Sequence, residues 1–216
     1  MNIWLLYILI AAGGYLLGNI SSGILIARAF GVKDIRKMGS GNAGTTNVLR
    51  NLGWLPSVLT LAGDCLKGLI AALAGKWLAG DIGMLIGGTF AVIGHDFPVF
   101  FKFKGGKGIA TNLGLILVLN PWIAVGLTIA VLIVVGFSRY MSLGSIMACF
   151  AYPTLVAVLM RGHAHYAACV GFAIFAGALA LFCHRSNLVR LLQGKENRLD
   201  FKKISSLHSK IKKHEK

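Results

Sequence analysis

Charge is what this sequence has least of. Only 13% of its 216 residues are Asp, Glu, Lys or Arg, about half the share found in a soluble domain. Hydrophobic residues make up 56% and mean hydropathy is +0.73, so a water-facing surface could not be covered with polar groups. That excludes a disordered chain, a coiled coil and a water-soluble enzyme with a basic tail, and points to a membrane protein. Acidic groups are scarcer still: 7 against 22 Lys and Arg, for a formal charge of +15. Such a balance ordinarily raises nucleic acid as a partner, so the position of each charge decides the matter.

Long stretches lack charge altogether. Residues 1–27, 108–138, 140–160 and 162–184 carry none, and shorter gaps cover 51–63 and 82–94. A bilayer core takes roughly 20 helical residues, and backbone groups in lipid must pair internally, which favours helices. Asn120-Pro121 is a turn signal inside the 108–138 stretch. The pattern predicts an all-α, polytopic membrane protein of about seven transmembrane helices, near 3–29, 53–78, 82–99, 108–119, 122–137, 142–160 and 164–184. The leg over 108–119 is short for a full span.

The basic residues fall into alternate segments. Nineteen of the 22 lie in 28–50, in 102–107, at Arg139, or in 185–216; Lys76 and Arg161 sit in the intervening segments, and Lys67 lies inside a helix. Seven spans with the N-terminus outside place all nineteen, and the C-terminus, on the cytoplasmic side, as the positive-inside rule requires. The basic charge then marks a membrane face, and nucleic acid is not an expected partner. The expected organisation is one integral membrane domain over 1–196 and a basic cytoplasmic tail over 197–216.

Other absences narrow the chemistry. Residues 1–27 have no basic n-region and no clear cleavage site, so they do not read as a secretory signal. Cys65, Cys149, Cys169 and Cys183 sit in apolar segments without metal-ligand spacing and read as free thiols. No cluster of His, Asp and Glu is visible, and no solenoid-type repeat. His163-x-His165 falls in a loop on the opposite side from the other polar motifs. No metal and no cofactor are expected.

What the chain does have lies in the basic loops. The first runs from Lys33 to Arg50 and contains Gly39-Ser40-Gly41-Asn42-Ala43-Gly44-Thr45-Thr46-Asn47. Its glycines permit close backbone approach and an anion nest, its hydroxyls are donors, and Arg50 is a bidentate anion binder. Gly39-x4-Gly44 has P-loop spacing, but Thr45 stands where that motif needs Lys and no strand precedes it. A polar turn between helices is the plainer alternative. The second loop ends in Gly105-Gly106-Lys107-Gly108 and opens a helix, a phosphate-binding arrangement; a basic stretch on lipid headgroups, anchored by Phe97, Phe100, Phe101 and Phe103, is the alternative. In the third, His184-Arg185-Ser186-Asn187, residues i and i+3 share a helix face, although a histidine there could be a solvated helix end. Asp64 and Lys67 are also i, i+3, within a span, where charges are costly and often functional. They suit either an ion pair that orients the helix or a catalytic role. In the tail, Phe201, Ile204, Leu207 and Ile211 share a face among lysines. That suits either a helix lying on anionic lipid or a solvated segment.

These motifs together resemble the bacterial membrane glycerol-3-phosphate acyltransferases that take acyl phosphate as donor. The likeness is carried by Gly39 through Arg50, by Asp64-Cys65-Leu66-Lys67-Gly68 and by Gly94-His95-Asp96-Phe97-Pro98-Val99-Phe100. It continues in Phe103 through Thr111 and in His184-Arg185-Ser186-Asn187 with Gly194-Lys195-Glu196. It implies a seven-helix enzyme of the bacterial inner membrane, active at the cytoplasmic face, that makes 1-acyl-glycerol 3-phosphate from acyl phosphate and glycerol 3-phosphate, with membrane lipids around it. It implies catalytic roles for Ser40, Arg50, Lys107, His184 and Asn187. Substrate-binding roles would fall to Gly41, Asn42, Thr46, Asn47, Gly105, Gly106 and Gly108, and a structural role to Glu196. Thr45 and Ser186 depart from the family pattern, the first replacing a small residue and the second an acidic one.

The residues fit that chemistry on their own terms. Two phosphorylated substrates need several converging cationic and N–H donors, and an acyl phosphate is already activated, so positioning and charge stabilisation dominate. No His-x4-Asp, the signature of CoA-dependent acyltransferases, follows any histidine. His184 could be the base, or the leaving phosphate could take the proton while His184 holds it; the lack of a carboxylate to orient His184 favours the second. A small transporter for an anionic metabolite is the alternative class, although only Asp64 and Lys67 lie clearly within the spans. A CDP-alcohol transferase lacks its paired aspartates here.

Overall fold

A computed structural model describes residues 2–214, with side chains through 207; within these the chain is helices joined by turns and short irregular segments, with no strand. The stretch expected as one helix over 3–29 is two: α1 (Ile3–Gly18), capped by Asn2, and α2 (Ser22–Ala29). The break at Asn19–Ser21 has a local cause. The Asn19 side chain turns back to donate to the Tyr15 carbonyl at 2.6 Å, and the Ile20 carbonyl accepts from Lys67 Nζ at 2.8 Å. Side chains that offer the backbone other partners interrupt helices in this way.

The first basic loop contains a helix that its polar sequence did not reveal, α3 (Thr45–Leu52). Gly44 precedes it, Gly53 ends it with φ +87°, and Val48 and Leu49 are buried on its inner side. The spans expected at 53–78 and 82–99 are the two helical legs of α4 (Trp54–Asp96), separated by a sharp turn at Ala79 and Gly80, where φ and ψ leave the helical region. Its legs touch through small residues: a Cβ on Gly75 would strike the Gly83 backbone, and one on Gly87 the Ala71 carbonyl. Such contacts are how helices approach without a solvent-driven core. The second leg stops at Asp96, before Pro98, as the residue before a proline disfavours helix, and a single 3-10 turn follows over Val99–Phe101.

The remaining helices are α5 (Ile109–Leu119), α6 (Pro121–Ser138), α7 (Met141–Leu159), α8 (Tyr166–Cys183), α9 (Arg185–Leu192) and α10 (Phe201–His214). Asn120 caps α6 by accepting from the amides of Trp122 and Ile123, with Pro121 in the first turn. Five segments are long and apolar enough to cross a bilayer: Ile3–Ala29, Trp54–Phe101, Pro121–Ser138, Met141–Leu159 and Tyr166–Cys183. Trp54–Phe101 contains both legs of α4, and the 11-residue α5 is apolar but shorter than these five. Lipid explains the outer surface, where Phe137, Trp77 and Trp122 stand 90%, 85% and 82% exposed. The inner core gathers Met84, Leu85, Leu115, Ile123 and Val156 from α4, α5, α6 and α7.

The basic segments meet at one end of this bundle. Arg36 donates to the Phe101 carbonyl at 3.1 Å, Arg50 to the Asn197 carbonyl at 2.7 Å, and the Leu199 amide to the Arg139 carbonyl at 2.8 Å. His163, in the connection between α7 and α8, and Asp81, next to the turn within α4, face each other at 3.7 Å. The start of the tail is not loose: Leu199 and Ile204 are buried against Leu49 and Val135, and Phe201 stacks on Trp54. Leu207 is half-buried, and the Ile211 side chain lies outside the described residues.

Candidate active site

The first loop is organised around one side chain. Asn47, in the first turn of α3, is 2% exposed. Its Nδ2 donates to the carbonyls of Ile35, Met38 and Asn42 at 3.0, 3.0 and 2.8 Å, and its Oδ1 accepts from the Ser40 amide at 2.9 Å. The Gly41 amide goes to the Met38 carbonyl, and the Gly44 amide to Asn42 Oδ1. The loop therefore does not offer the amides of residues 40, 41 and 44 as an anion nest, because each is already used inside it. What it presents is side chains, together with the first amides of α3, which Gly44 leaves without a side-chain cap.

The second loop sits on the end of α4. The Gly106 amide donates to the His95 carbonyl at 3.0 Å. A Cβ on Gly105 would strike that carbonyl, and one on Gly106 would strike the His95 imidazole. Those two glycines thus give room to the protein's own residue. Gly108 has φ +71° and precedes α5 without a side-chain cap, so the positive end of α5 opens beside Lys107.

The third segment turns at His184, where α8 ends and α9 begins. His184 Nδ1 lies 2.8 Å from the Ala180 carbonyl. A carbonyl only accepts, so Nδ1 carries the proton and Nε2 is left as an acceptor. Lys107 Nζ donates to Asn187 Oδ1. Asn187 Nδ2 donates in turn to Glu196 Oε1 at 3.1 Å, and Arg190 pairs with Glu196 Oε2 at 2.9 Å. The side chains of the second and third segments are thereby joined.

All three segments open on one cavity of about 290 Å³. Ser40, Asn42, Thr46, Asn47, Arg50, Lys107, Gly108, His184 and Asn187 line it, while Gly41, Gly105 and Gly106 lie behind the wall. Its other end is apolar: Leu61, Leu113, Ile116, Leu127, Val131, Leu132, Ala148 and Cys149 continue to Tyr152 in the core. Sequence reasoning did not assign Asp64, His95, Asn112, Ser142, Ser145 and Tyr152 to this cavity, nor place Glu196 on its wall. Ser142 and Ser145, three apart on α7, carried a usable signal in their helical spacing; Tyr152 carried none.

Burial tunes the cationic end. It lowers Lys107 to about 8, with Arg190 and Arg50 adding repulsion and Glu196 opposing them. Burial also lowers Arg50, which remains charged, and brings His184 down to about 4, helped by the charge on Lys107. Outside the cavity, the Arg36 guanidinium holds the Asp34 carboxyl down at about 2. At neutral pH the cavity head thus carries two cations and a neutral imidazole.

Comparison with known proteins agrees with this arrangement. The profile of a family described as glycerol-3-phosphate acyltransferase matches residues 8–194. The curated glycerol-3-phosphate acyltransferase of Thermoanaerobacter pseudethanolicus is 41% identical over 197 residues, covering 89% of this chain and 95% of its own. That of Geotalea daltonii is 43% identical over 192 residues, covering 88% and 96%. Among solved structures, PlsY (YgiH), an integral membrane glycerol 3-phosphate acyltransferase, superimposes in its glycerol 3-phosphate form with a TM-score of 0.81 at 40% identity, over 90% of this chain and 96% of that one. Its lysophosphatidic acid form gives 0.80 at 38% identity, over 92% and 97%. The chain belongs to the integral membrane glycerol-3-phosphate acyltransferase family.

Proposed function

We propose that the acyl donor is acyl phosphate, and that the protein transfers its acyl group to a glycerol 3-phosphate hydroxyl at the cytoplasmic face of a bacterial plasma membrane. Seven spans, with the N-terminus outside, belong to the same reading. The observation that carries it is the polarity of the cavity: cationic at the head, where Arg50 and Lys107 meet, and apolar down to Tyr152. An acyl phosphate has that shape, a dianionic head on a hydrocarbon chain, and the phosphate of the acceptor adds a second anion at the same end.

In this reading Lys107, Arg50, Ser40 and the open end of α5 hold the two phosphates. His184 Nε2, which only accepts because the ring proton sits on Nδ1, orients the acceptor through the glycerol hydroxyl that does not react, instead of holding the departing phosphate as the sequence had suggested. The attacking hydroxyl oxygen bonds to the acyl carbon, the bond from that carbon to the phosphate oxygen breaks, and the attacking hydroxyl's proton ends on the released phosphate. A His184 that titrates at about 4 is a poor proton acceptor at neutral pH. A phosphate, whose second ionisation lies near 6, is the better one. Asn187 holds the Lys107 ammonium in place, and positioning supplies most of the rate.

The test is donor choice. Purified protein with glycerol 3-phosphate should form lysophosphatidic acid from acyl phosphate and little or none from acyl-CoA or acyl carrier protein. Turnover with the CoA thioester alone would overturn the proposal. Lys107→Ala and Ser40→Ala should abolish turnover while the protein stays folded.

A further inference from the structure

Asp64, Lys67 and His95 lie beneath the second loop, and the mechanism above gives none of them a task. All three are buried: the side chains of Asp64 and Lys67 are 2% and 4% exposed, and that of His95 is 6%. Lys67 makes two hydrogen bonds and one ion pair. Nζ lies 2.8 Å from the Ile20 carbonyl in the break between α1 and α2, 2.7 Å from His95 Nδ1 and 2.9 Å from the Asp64 carboxylate. One side chain thus joins the interrupted first helix to both legs of α4.

The bond to Nδ1 fixes the ring. Because Lys67 donates there, the His95 proton sits on Nε2, and the plane and tilt of the imidazole are set from behind. The front of that ring occupies the space a Gly106 side chain would need, while the carbonyl of the same residue accepts the Gly106 amide. Gly106 is therefore docked on His95 at two points, and the next residue is Lys107. A helix-orienting ion pair would require neither a carbonyl in the helix break nor a histidine under the loop.

We propose that Asp64, Lys67 and His95 are a positioning unit for the loop that carries Lys107, with Lys67 as its hub and the His95 imidazole as the surface on which Gly106 rests. This rests on the reading of that loop as a phosphate-binding element. Asp64 and His95 also reach the cavity wall; the role of all three is to set where Lys107 and the first amides of α5 stand.

Three variants and a cycle test it, in purified full-length protein with acyl phosphate as donor. His95→Asn keeps an acceptor for Lys67 where Nδ1 was and removes the ring from beneath Gly106. Its melting temperature in detergent should stay near that of the parent, while KM for glycerol 3-phosphate rises on the order of tenfold and KM for acyl phosphate moves much less. Gly106→Ala should lower kcat/KM on the order of 100-fold in the parent, but cost little further in the His95→Asn background, the coupling expected of groups that share one space. Replacing the ion pair by apolar residues, Asp64→Leu with Lys67→Met, leaves no unpaired charge and should reproduce the KM rise. An unchanged glycerol 3-phosphate KM in His95→Asn or in the apolar pair would overturn the proposal, as would an equal cost of Gly106→Ala in both backgrounds. Lys107→Ala separates the two levels: if it leaves turnover intact, the phosphate-binding reading itself has failed.

Discussion

Two glycine-rich loops face the same cavity and are held in opposite ways. The first, 35–47, is organised from within, by Asn47 bonding four of its own backbone groups. The second, 104–108, is seated from outside, on the carbonyl and ring of His95. Their glycines consequently answer different demands. Gly41 has φ of +74° and open space, so it serves a backbone shape, and Gly39 combines φ of +55° with a close approach to the Asn47 and Asn51 side chains; Gly105 and Gly106 have no such angle and serve a close approach alone. Similar composition thus conceals a conformational requirement at Gly41 and a steric one at Gly105 and Gly106, and substitutions should tell them apart.

The largest effect should come at Gly105. A Cβ there meets the His95 and Asp96 carbonyls and the Pro98 ring, and backbone cannot rotate aside as a flexible side chain can. Gly105→Ala should lift the loop and lower kcat/KM for glycerol 3-phosphate on the order of 100-fold or more, read in steady-state kinetics. If it behaves like the parent, the second loop is not seated as described and the contrast between the loops fails.

Asn47 comes next, because it makes most of the first loop's internal side-chain hydrogen bonds. Asn47→Ala strands the Asn42 carbonyl and the Ser40 amide and leaves the Ile35 and Met38 carbonyls with one backbone partner each; each group left unpaired costs about 1–3 kcal/mol. The melting temperature in detergent should fall and Ser40 should lose its position. The equivalent loss in the second loop, His95→Asn, should leave the melting temperature nearly unchanged. A parent-like melt for Asn47→Ala would show that the first loop is also held from outside.

The two loops also differ in the cation each supplies. Arg50 stays charged throughout, whereas Lys107 has been brought down to about 8. Activity that depends on the Lys107 ammonium should fall as pH rises through about 8, approaching tenfold per unit beyond it. Stability should move the other way. The folded value lies below the unfolded 10.5, so the unfolded chain binds more protons between 8 and 10.5, and this group's penalty on folding fades as pH rises across that window. His184, depressed from 6.5 to about 4, should leave the rate flat from 5 to 7 and destabilise the fold as pH drops from 6.5 toward 4. A fall in rate near 6.5 would mean that His184 is not held neutral by its site.

How much of this was legible in the sequence follows from the range of each interaction. Lipid reads every stretch of about 20 residues alike, so the spans and the gathering of basic segments at one end could be seen in the spacing of charges. Lys107 could be seen too, because a glycine–lysine turn opening a helix is a local pattern. Local pattern is also why α3 escaped notice: eight polar-rich residues between two glycines look like a turn until Val48 and Leu49 find something to bury against. His95 beneath Gly106, 11 positions away, and Leu199 on the Arg139 carbonyl depend on how α4, α6 and α7 are placed. No short-range spacing encodes that placement. Asn47 was singled out for its type and turned out to be bonded wholly to its own loop, because residue chemistry says what a side chain can bond and not which partner is nearer.

The smallest expected effect is the sharpest check on the contrast. Gly41 differs from Gly105 in having space: the nearest atom to an added Cβ is the Arg36 carbonyl, at 3.5 Å, an ordinary contact. Only its φ of +74° opposes a side chain, and a non-glycine residue in that region costs about 1 kcal/mol. Gly41→Ala should therefore lower stability by about that amount and kcat/KM by no more than about fivefold. Gly41→Asn should do better than Gly41→Ala despite its greater bulk, since Asn tolerates the left-handed region. An order in which Ala is harmless and Asn is not would mean that space, not backbone angle, is what the first loop requires.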